Sequence, residues 1–135
     1  MTAFEPYSYS DPFAQYLGVE MLGVQEGRAQ ARLRIQEQHL NIHGMLHGAM
    51  LFALADVVLG AASNSYGRAA VAIQATISYL KAISSGVVIA EAEELARNAV
   101  LGQYHIRVSS EAGDLLAVFQ GMVYFKKNRS EGRHV

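Results

Sequence analysis

The chain has no cysteine among its 135 residues. Disulfide bonds, zinc sites built on thiolates and a catalytic cysteine are therefore excluded. Charged residues make up only 17% of the chain and its formal net charge is −1. No global electrostatic attraction then draws it to nucleic acid or to an anionic membrane. We expect neither of these as a partner.

Signals for export and for membrane insertion are also missing. The start of the chain, from Met1 to Pro6, has neither a basic segment nor an apolar signal core. The longest apolar stretch, within 46–64, is interrupted by Asp56 and falls short of the ~20 residues that span a bilayer. The sequence thus predicts a cytoplasmic protein.

Apolar residues make up 51% of the chain, which is enough for a full hydrophobic core. A chain of this length is typical of one domain. No linker or internal repeat divides it, so we predict a single domain over residues 1–135.

The spacing of apolar residues predicts two helices and six strands. Helices are expected at 11–18 and 46–64, and strands at 19–25, 28–35, 70–81, 87–97, 101–110 and 115–127. The long helix has no charged face, so we expect it to be buried nearly all round. The last strand is almost continuously apolar and should be central. This order predicts an α+β fold in which an antiparallel sheet wraps around the helix or a second subunit covers it.

One carboxylate stands inside the long apolar helix. Asp56 has only apolar residues and glycine around it in sequence, and no lysine or arginine occurs between Arg34 and Arg68. An ionised carboxylate buried without a partner costs on the order of several kcal/mol. We therefore expect Asp56 to be functional, and its apolar setting to raise its pKa.

The start of the same helix is the second candidate feature. Gly44 and Gly48 let the backbone approach a ligand closely. A helix that begins near His47 offers unpaired N–H groups and the positive end of its dipole, which suits an oxyanion or a polarised carbonyl. An oxyanion donor together with a carboxylate predicts hydrolysis of an activated acyl compound.

His43 and His47 have the four-residue spacing of a metal-binding pair on a helix. No third ligand is evident in the sequence, and His43 precedes the helix. We therefore expect both histidines to be structural or to line the pocket, and we predict no metal site.

The motif Asn41-x-x-Gly-x-x-His-Gly-Ala-x-x-x-x-Leu-Ala-Asp56, followed by Ala61-Ala-Ser-Asn64, strongly resembles the hotdog-fold acyl-CoA thioesterases. The most similar type is the phenylacetic-acid-degradation thioesterases. The strand at 70–81 also looks like the strand that follows the helix in that family. The resemblance implies a hotdog fold, an acyl-CoA substrate that could be aryl-acyl, and no cofactor, since CoA is part of the substrate.

The resemblance also implies residue roles. In the family, the aspartate matching Asp56 acts as general base on water or as nucleophile, and the N–H matching that of Gly48 polarises the thioester carbonyl. The asparagine matching Asn41 positions substrate or water, and the histidine matching His47 shapes the helix start. The protein should be a homo-oligomer, a dimer or a dimer of dimers. The aspartate of one protomer then faces the helix start of the other, so the site lies at the subunit interface.

Two departures from the family pattern concern substrate binding. The usual His-Gly-Gly is His-Gly-Ala at 47–49, and the turn after the fourth strand often carries a Gly-Lys/Arg pair that meets CoA phosphates. This chain has Arg-Asn-Ala-Val at 97–100 instead. Lys81, Arg68 and Arg97 are the candidates for contacts with CoA.

Two other functions stay open on this sequence. A hotdog enoyl-CoA hydratase or dehydratase would pair a histidine with a helix acid, and His43 keeps that reading open. The other alternative is a non-catalytic acyl-CoA-binding domain on the same fold.

Overall fold

The computed structural model describes residues 11–127. In chain order its elements are α1 (Pro12–Leu17), β1 (Glu20–Gln25), β2 (Arg28–Arg34), α2 (Gly48–Ser63), β3 (Ala70–Tyr79), β4 (Val87–Arg97), β5 (Leu101–Ser110) and β6 (Leu115–Phe125). Each predicted helix and strand is confirmed, and its ends shift by at most two residues. The predictions for Met1 to Pro6 and for one domain over 1–135 extend outside the described residues and stay predictions.

The six strands form one antiparallel sheet in the order β1-β2-β4-β5-β6-β3. β6 lies inside the sheet between β5 and β3, as its continuous apolar sequence predicts. β1 and β3 form the two edges. β3 therefore has β6 on one side and no strand on the other within residues 11–127.

α2 packs against one face of this sheet. Leu54 and Val58 of the helix are fully buried. β5 contributes the side chains of Tyr104, Ile106 and Val108, which are also fully buried. Their alternation with polar residues at 103, 105 and 107 in the sequence predicts this buried face. One long helix on an antiparallel sheet confirms the α+β prediction. No helix among residues 11–127 is long and apolar enough to cross a membrane.

One face of α2 remains open in the single chain. Ala49, Ala53, Asp56 and Gly60 are partly or fully exposed. Their spacing of three or four residues places them on one side of the helix, and we call this side the open stripe. The expectation that α2 is buried all round is therefore wrong for this side, because the sheet covers only the opposite face.

Candidate active site

The backbone at the start of α2 presents a free hydrogen-bond donor. His47 is the N-cap, with φ −64° and ψ 138°, and its Nδ1 accepts from Ala49 N at 2.9 Å. The N–H of Gly48, the first residue of the helix, has no partner among residues 11–127. The structure thus places a dipole-assisted N–H where the sequence predicts an oxyanion donor.

The Tyr79 side chain lies against the backbone of Gly48. Its O–H donates to Gly48 O at 3.3 Å. A Cβ on residue 48 would lie 3.3 Å from Cε1 and Cζ of the Tyr79 ring, closer than most Cβ contacts. No strong signal in the sequence predicts this contact, since tyrosine at a strand end is usually a packing residue. Tyr79 therefore fixes the end of β3 beside the start of α2.

Asn41 shapes the loop that leads into α2. Its Oδ1 accepts from His43 N at 2.8 Å and from Met45 N at 3.1 Å. Its own N–H donates to Met45 O at 2.7 Å, and Gly44 makes the turn with φ 77°. The side-chain oxygen is thus used within the loop. Its Nδ2 has no partner in residues 11–127, and the contact of Asn41 with substrate or water stays a prediction.

Asp56 lies on the open stripe and is exposed in the single chain, so the expectation that it is buried is wrong for one protomer. It lines a cavity of about 340 Å³ between α2, the start of β3 and α1. The other lining residues are mostly apolar and include no lysine or arginine. Partial desolvation, and secondly the negative charge of Asp11, raise the pKa of Asp56. The predicted direction of the pKa shift is confirmed.

A second cavity, of about 390 Å³, adjoins the start of α2. Its walls come from α1, from the loop around His39 and from the first two turns of α2. They are mainly apolar and aromatic, with Phe13, Tyr16, Leu17, Leu40 and Met50 among them. His47 and Ala49, which flank Gly48 in sequence, also line it, and we call this cavity the chamber beside Gly48.

Asp56 and Gly48 of one chain lie too far apart to act on the same carbonyl. They are eight residues apart in α2, which corresponds to about 12 Å along the axis at 1.5 Å per residue. One chain therefore does not bring the carboxylate of Asp56 and the N–H of Gly48 together at one point.

Arg68 is used within the protomer. Its Nε donates to Lys126 O at 2.6 Å and its Nη2 to Phe125 O at 3.2 Å. The Nζ of Lys81 forms an ion pair with Oδ2 of Asp114 at 3.2 Å. Because these contacts lie at opposite ends of β6, the structure does not bring Arg68 and Lys81 together in one protomer.

Arg97 is the third predicted CoA contact. Its Nε lies 3.4 Å from Glu94 Oε1, and its guanidinium stacks 4.0 Å from the centre of the Tyr66 ring. Glu94 also accepts from the hydroxyls of Tyr66 and of the buried Tyr104, at 3.0 and 2.9 Å. Arg97 is thus held in a fixed orientation with part of its side chain exposed.

His43 lies exposed in the loop before α2. Within residues 11–127, no three His, Asp or Glu side chains are grouped closely enough to hold a metal ion. The lack of a metal site stays a prediction from the sequence.

Comparisons with known proteins identify the family of this chain. Residues 43–117 match the family model described as the thioesterase superfamily. The chain is 34% identical to the acyl-coenzyme A thioesterase PaaI of Escherichia coli (strain K12) over 113 residues, which cover 83% of this chain and 81% of that protein. A putative esterase of Archaeoglobus fulgidus is 35% identical over 120 residues, 87% of this chain and 78% of that protein.

A solved structure gives the same fold. The E. coli PaaI protein from the phenylacetic acid degradation operon superposes with a TM-score of 0.85 at 31% identity, over 88% of this chain and 87% of that one. The family model covers more than half of the chain, and these relatives exceed 30% identity over most of its length. The chain therefore belongs to the thioesterase superfamily, with the hotdog fold, and is a thioester hydrolase.

Proposed function

We propose that this protein hydrolyses acyl-CoA thioesters to a free acid and CoA, with Asp56 as the catalytic carboxylate. The observation that carries the proposal is the unpaired Gly48 N–H at the start of the same helix that bears Asp56. No cofactor takes part, because CoA belongs to the substrate.

The chemistry needs one donor and one base or nucleophile. The Gly48 N–H donates to the thioester oxygen, and the helix dipole stabilises the negative charge that develops there. Asp56 either takes a proton from the water that attacks the carbonyl carbon, or attacks that carbon itself before water releases the acid. In both routes the C–S bond breaks and CoA leaves as the thiol. A raised pKa makes the carboxylate a stronger base.

The edge strand β3 supports a site shared between two copies of the chain. Its first residues, Ala70 and Ala72, line the Asp56 cavity, and its last, Tyr79, contacts Gly48. If a second β3 pairs with it in antiparallel fashion about a twofold axis, the end of one strand lies beside the start of the other. That pairing brings Asp56 of one protomer toward Gly48 of its partner.

The sequence of β3 favours such pairing. The strand is ten residues long, lies mostly exposed at an edge, and carries no charged residue or proline. Exposed edges usually carry such residues to prevent association. We therefore propose a homodimer joined at β3, and assembly of two dimers into a tetramer stays a prediction.

The chamber beside Gly48 supports the proposal that the substrates include aryl-acyl-CoAs. Phe13 and Tyr16 supply aromatic surface there, and its size is within the usual range for small-molecule pockets. The relative encoded in a phenylacetic acid degradation operon is consistent with this proposal. Lys81 and Arg97, whose side chains are exposed, are better placed than Arg68 to meet CoA phosphates. A cytoplasmic location stays a prediction.

The test is a panel of straight-chain and aryl acyl-CoAs scored by release of the CoA thiol. We expect hydrolysis of at least one class with saturation kinetics. Hydration of an enoyl-CoA without thiol release would instead support the hydratase. Tight binding without turnover across the whole panel would support a non-catalytic binding domain.

The Asp11→Asn variant tests how the charge beside Asp56 affects activity. Asn is as good an N-cap as Asp and can still accept from Ala14 N, a bond of 3.0 Å in the native chain. Removal of a like charge favours ionised Asp56 and lowers its pKa. Since the ionised form is the active one, the acidic limb of the kcat/KM profile should move to lower pH.

The matched control for this charge change is Glu20→Gln, which neutralises an exposed carboxylate paired with Arg32 on β1. Its acidic limb should coincide with that of the native protein. An acidic limb of Asp11→Asn that stays in place or moves to higher pH would contradict an effect of Asp11 on Asp56.

A further inference from the structure

The two cavities of one protomer share a wall. Phe13 and Ala53 line both the Asp56 cavity and the chamber beside Gly48. Ala53 carries only a methyl group on the open stripe. The ring of Phe13 is therefore the one large side chain among the described residues that lines both spaces.

Hydrogen bonds at both ends of α1 hold the helix that carries Phe13, although Phe13 itself is 59% exposed. Asp11 caps α1 through Ala14 N, and Ala14 is buried. At the other end of α1, Nε2 of the buried His39 donates to Leu17 O at 2.8 Å. The helix that carries Phe13 is thus fixed at both ends.

His39 also ties this helix to the active-site loop. Its Nδ1 accepts from Gln36 N at 2.9 Å, and its backbone oxygen accepts from His47 N at 2.8 Å. The same residue therefore connects α1 with the N-cap of α2. The position of Phe13 is coupled to the helix start where the thioester carbonyl would bind.

We propose that Phe13 sets the upper limit on acyl-chain length by forming the wall between the chamber beside Gly48 and the Asp56 cavity. The proposal rests on the acyl-CoA thioesterase function given above. A carbonyl held at the Gly48 N–H directs its acyl group into the adjoining chamber, which His47 and Ala49 also line. A chain that extends across the chamber to the wall shared by the two cavities meets the Phe13 side chain, and the space on the other side of that wall is the Asp56 cavity.

The experiment measures kcat/KM for straight-chain acyl-CoAs of increasing length with the native protein, Phe13→Ala, Phe13→Trp and Tyr16→Ala. Tyr16 is the matched control because it lies on the same helix and lines only the chamber beside Gly48. Loss of the ring in Phe13→Ala should join the two cavities. We expect kcat/KM for chains just beyond the native limit to rise about tenfold or more, without a comparable gain for short chains.

The other two variants should affect the longest accepted chain differently from Phe13→Ala. Phe13→Trp should shorten the longest accepted chain, and Tyr16→Ala should leave the limit where it is. An unchanged limit in both Phe13 variants, with short chains still hydrolysed, would overturn the role of Phe13 and leave the thioesterase function intact. A native protein that releases no thiol from any chain would overturn both. Because Phe13 is largely exposed, its replacement should not prevent folding, and thermal unfolding checks this.

Discussion

Asp56→Asn is expected to lower kcat by about 100-fold or more, because a positioned general base usually contributes at least that much to the rate. Asn keeps the shape of the side chain but can neither accept a proton from water nor attack as a carboxylate. The measurement is thiol release at saturating acyl-CoA. If Asp56 only bound the substrate equally in ground and transition states, KM would rise and kcat would be unchanged.

The same substitution should not destabilise the fold. The folded protein raises the pKa of Asp56, so the ionised carboxylate is less favourable in the folded than in the unfolded chain. This cost is absent at low pH, where both states are protonated, and appears as the pH rises through the unfolded value of about 4. Asp56→Asn removes it, so at neutral pH the variant should unfold at the same or a higher temperature than the native protein.

Glu20→Gln is again a suitable control, because it changes an exposed carboxylate on β1, at the edge of the sheet opposite β3. Its kcat should equal that of the native protein. Near-normal turnover by a folded Asp56→Asn protein would reject Asp56 as the catalytic carboxylate. A loss of activity together with a loss of the fold would contradict the prediction that the substitution leaves stability unchanged or raises it.

The sequence predicts the elements of this fold well, because their periodicity is local. The alternation of Tyr104, Ile106 and Val108 identifies the buried face of β5, and the continuous apolar run of β6 indicates its interior position. The start of α2 could likewise be found from the glycine pattern and the N-cap His47. These features depend on neighbours within a few residues.

Contacts between distant segments could not be predicted in this way. Tyr79 and Gly48 are 31 residues apart, and they meet only because the end of β3, at the edge of the sheet opposite β1, lies beside the start of α2. The apolar sequence of α2 predicts a buried Asp56, but apolar residues such as Ala49 and Ala53 also lie on the open stripe beside it. Composition alone does not distinguish a core from an interface.

Gly48→Pro is expected to lower kcat by about 100-fold to 1,000-fold, the usual cost of one oxyanion donor. Proline is favoured at the first position of a helix, which Gly48 occupies. His47, with φ −64° and ψ 138°, already has the extended backbone that a following proline requires. The substitution therefore removes the N–H donor without requiring a new backbone conformation.

Gly48→Ala is the matched control, because both substitutions add a Cβ beside Tyr79 but alanine keeps the N–H. Tyr79 is 54% exposed and can shift by the few tenths of an ångström needed. Gly48→Ala should therefore retain most of the activity that Gly48→Pro loses. Equal losses in the two variants would attribute the effect to crowding by the Cβ rather than to the donor.

Co-expression of Asp56→Asn and Gly48→Pro chains then tests whether the site is shared. In a mixed dimer one site combines both defects, while the other combines the intact Asp56 of one chain with the intact Gly48 of its partner. Random pairing makes half of the dimers mixed, so about a quarter of the sites in the dimers should be active. If each site lay within one protomer, every site would carry a defect and the mixture would be as inactive as either variant alone.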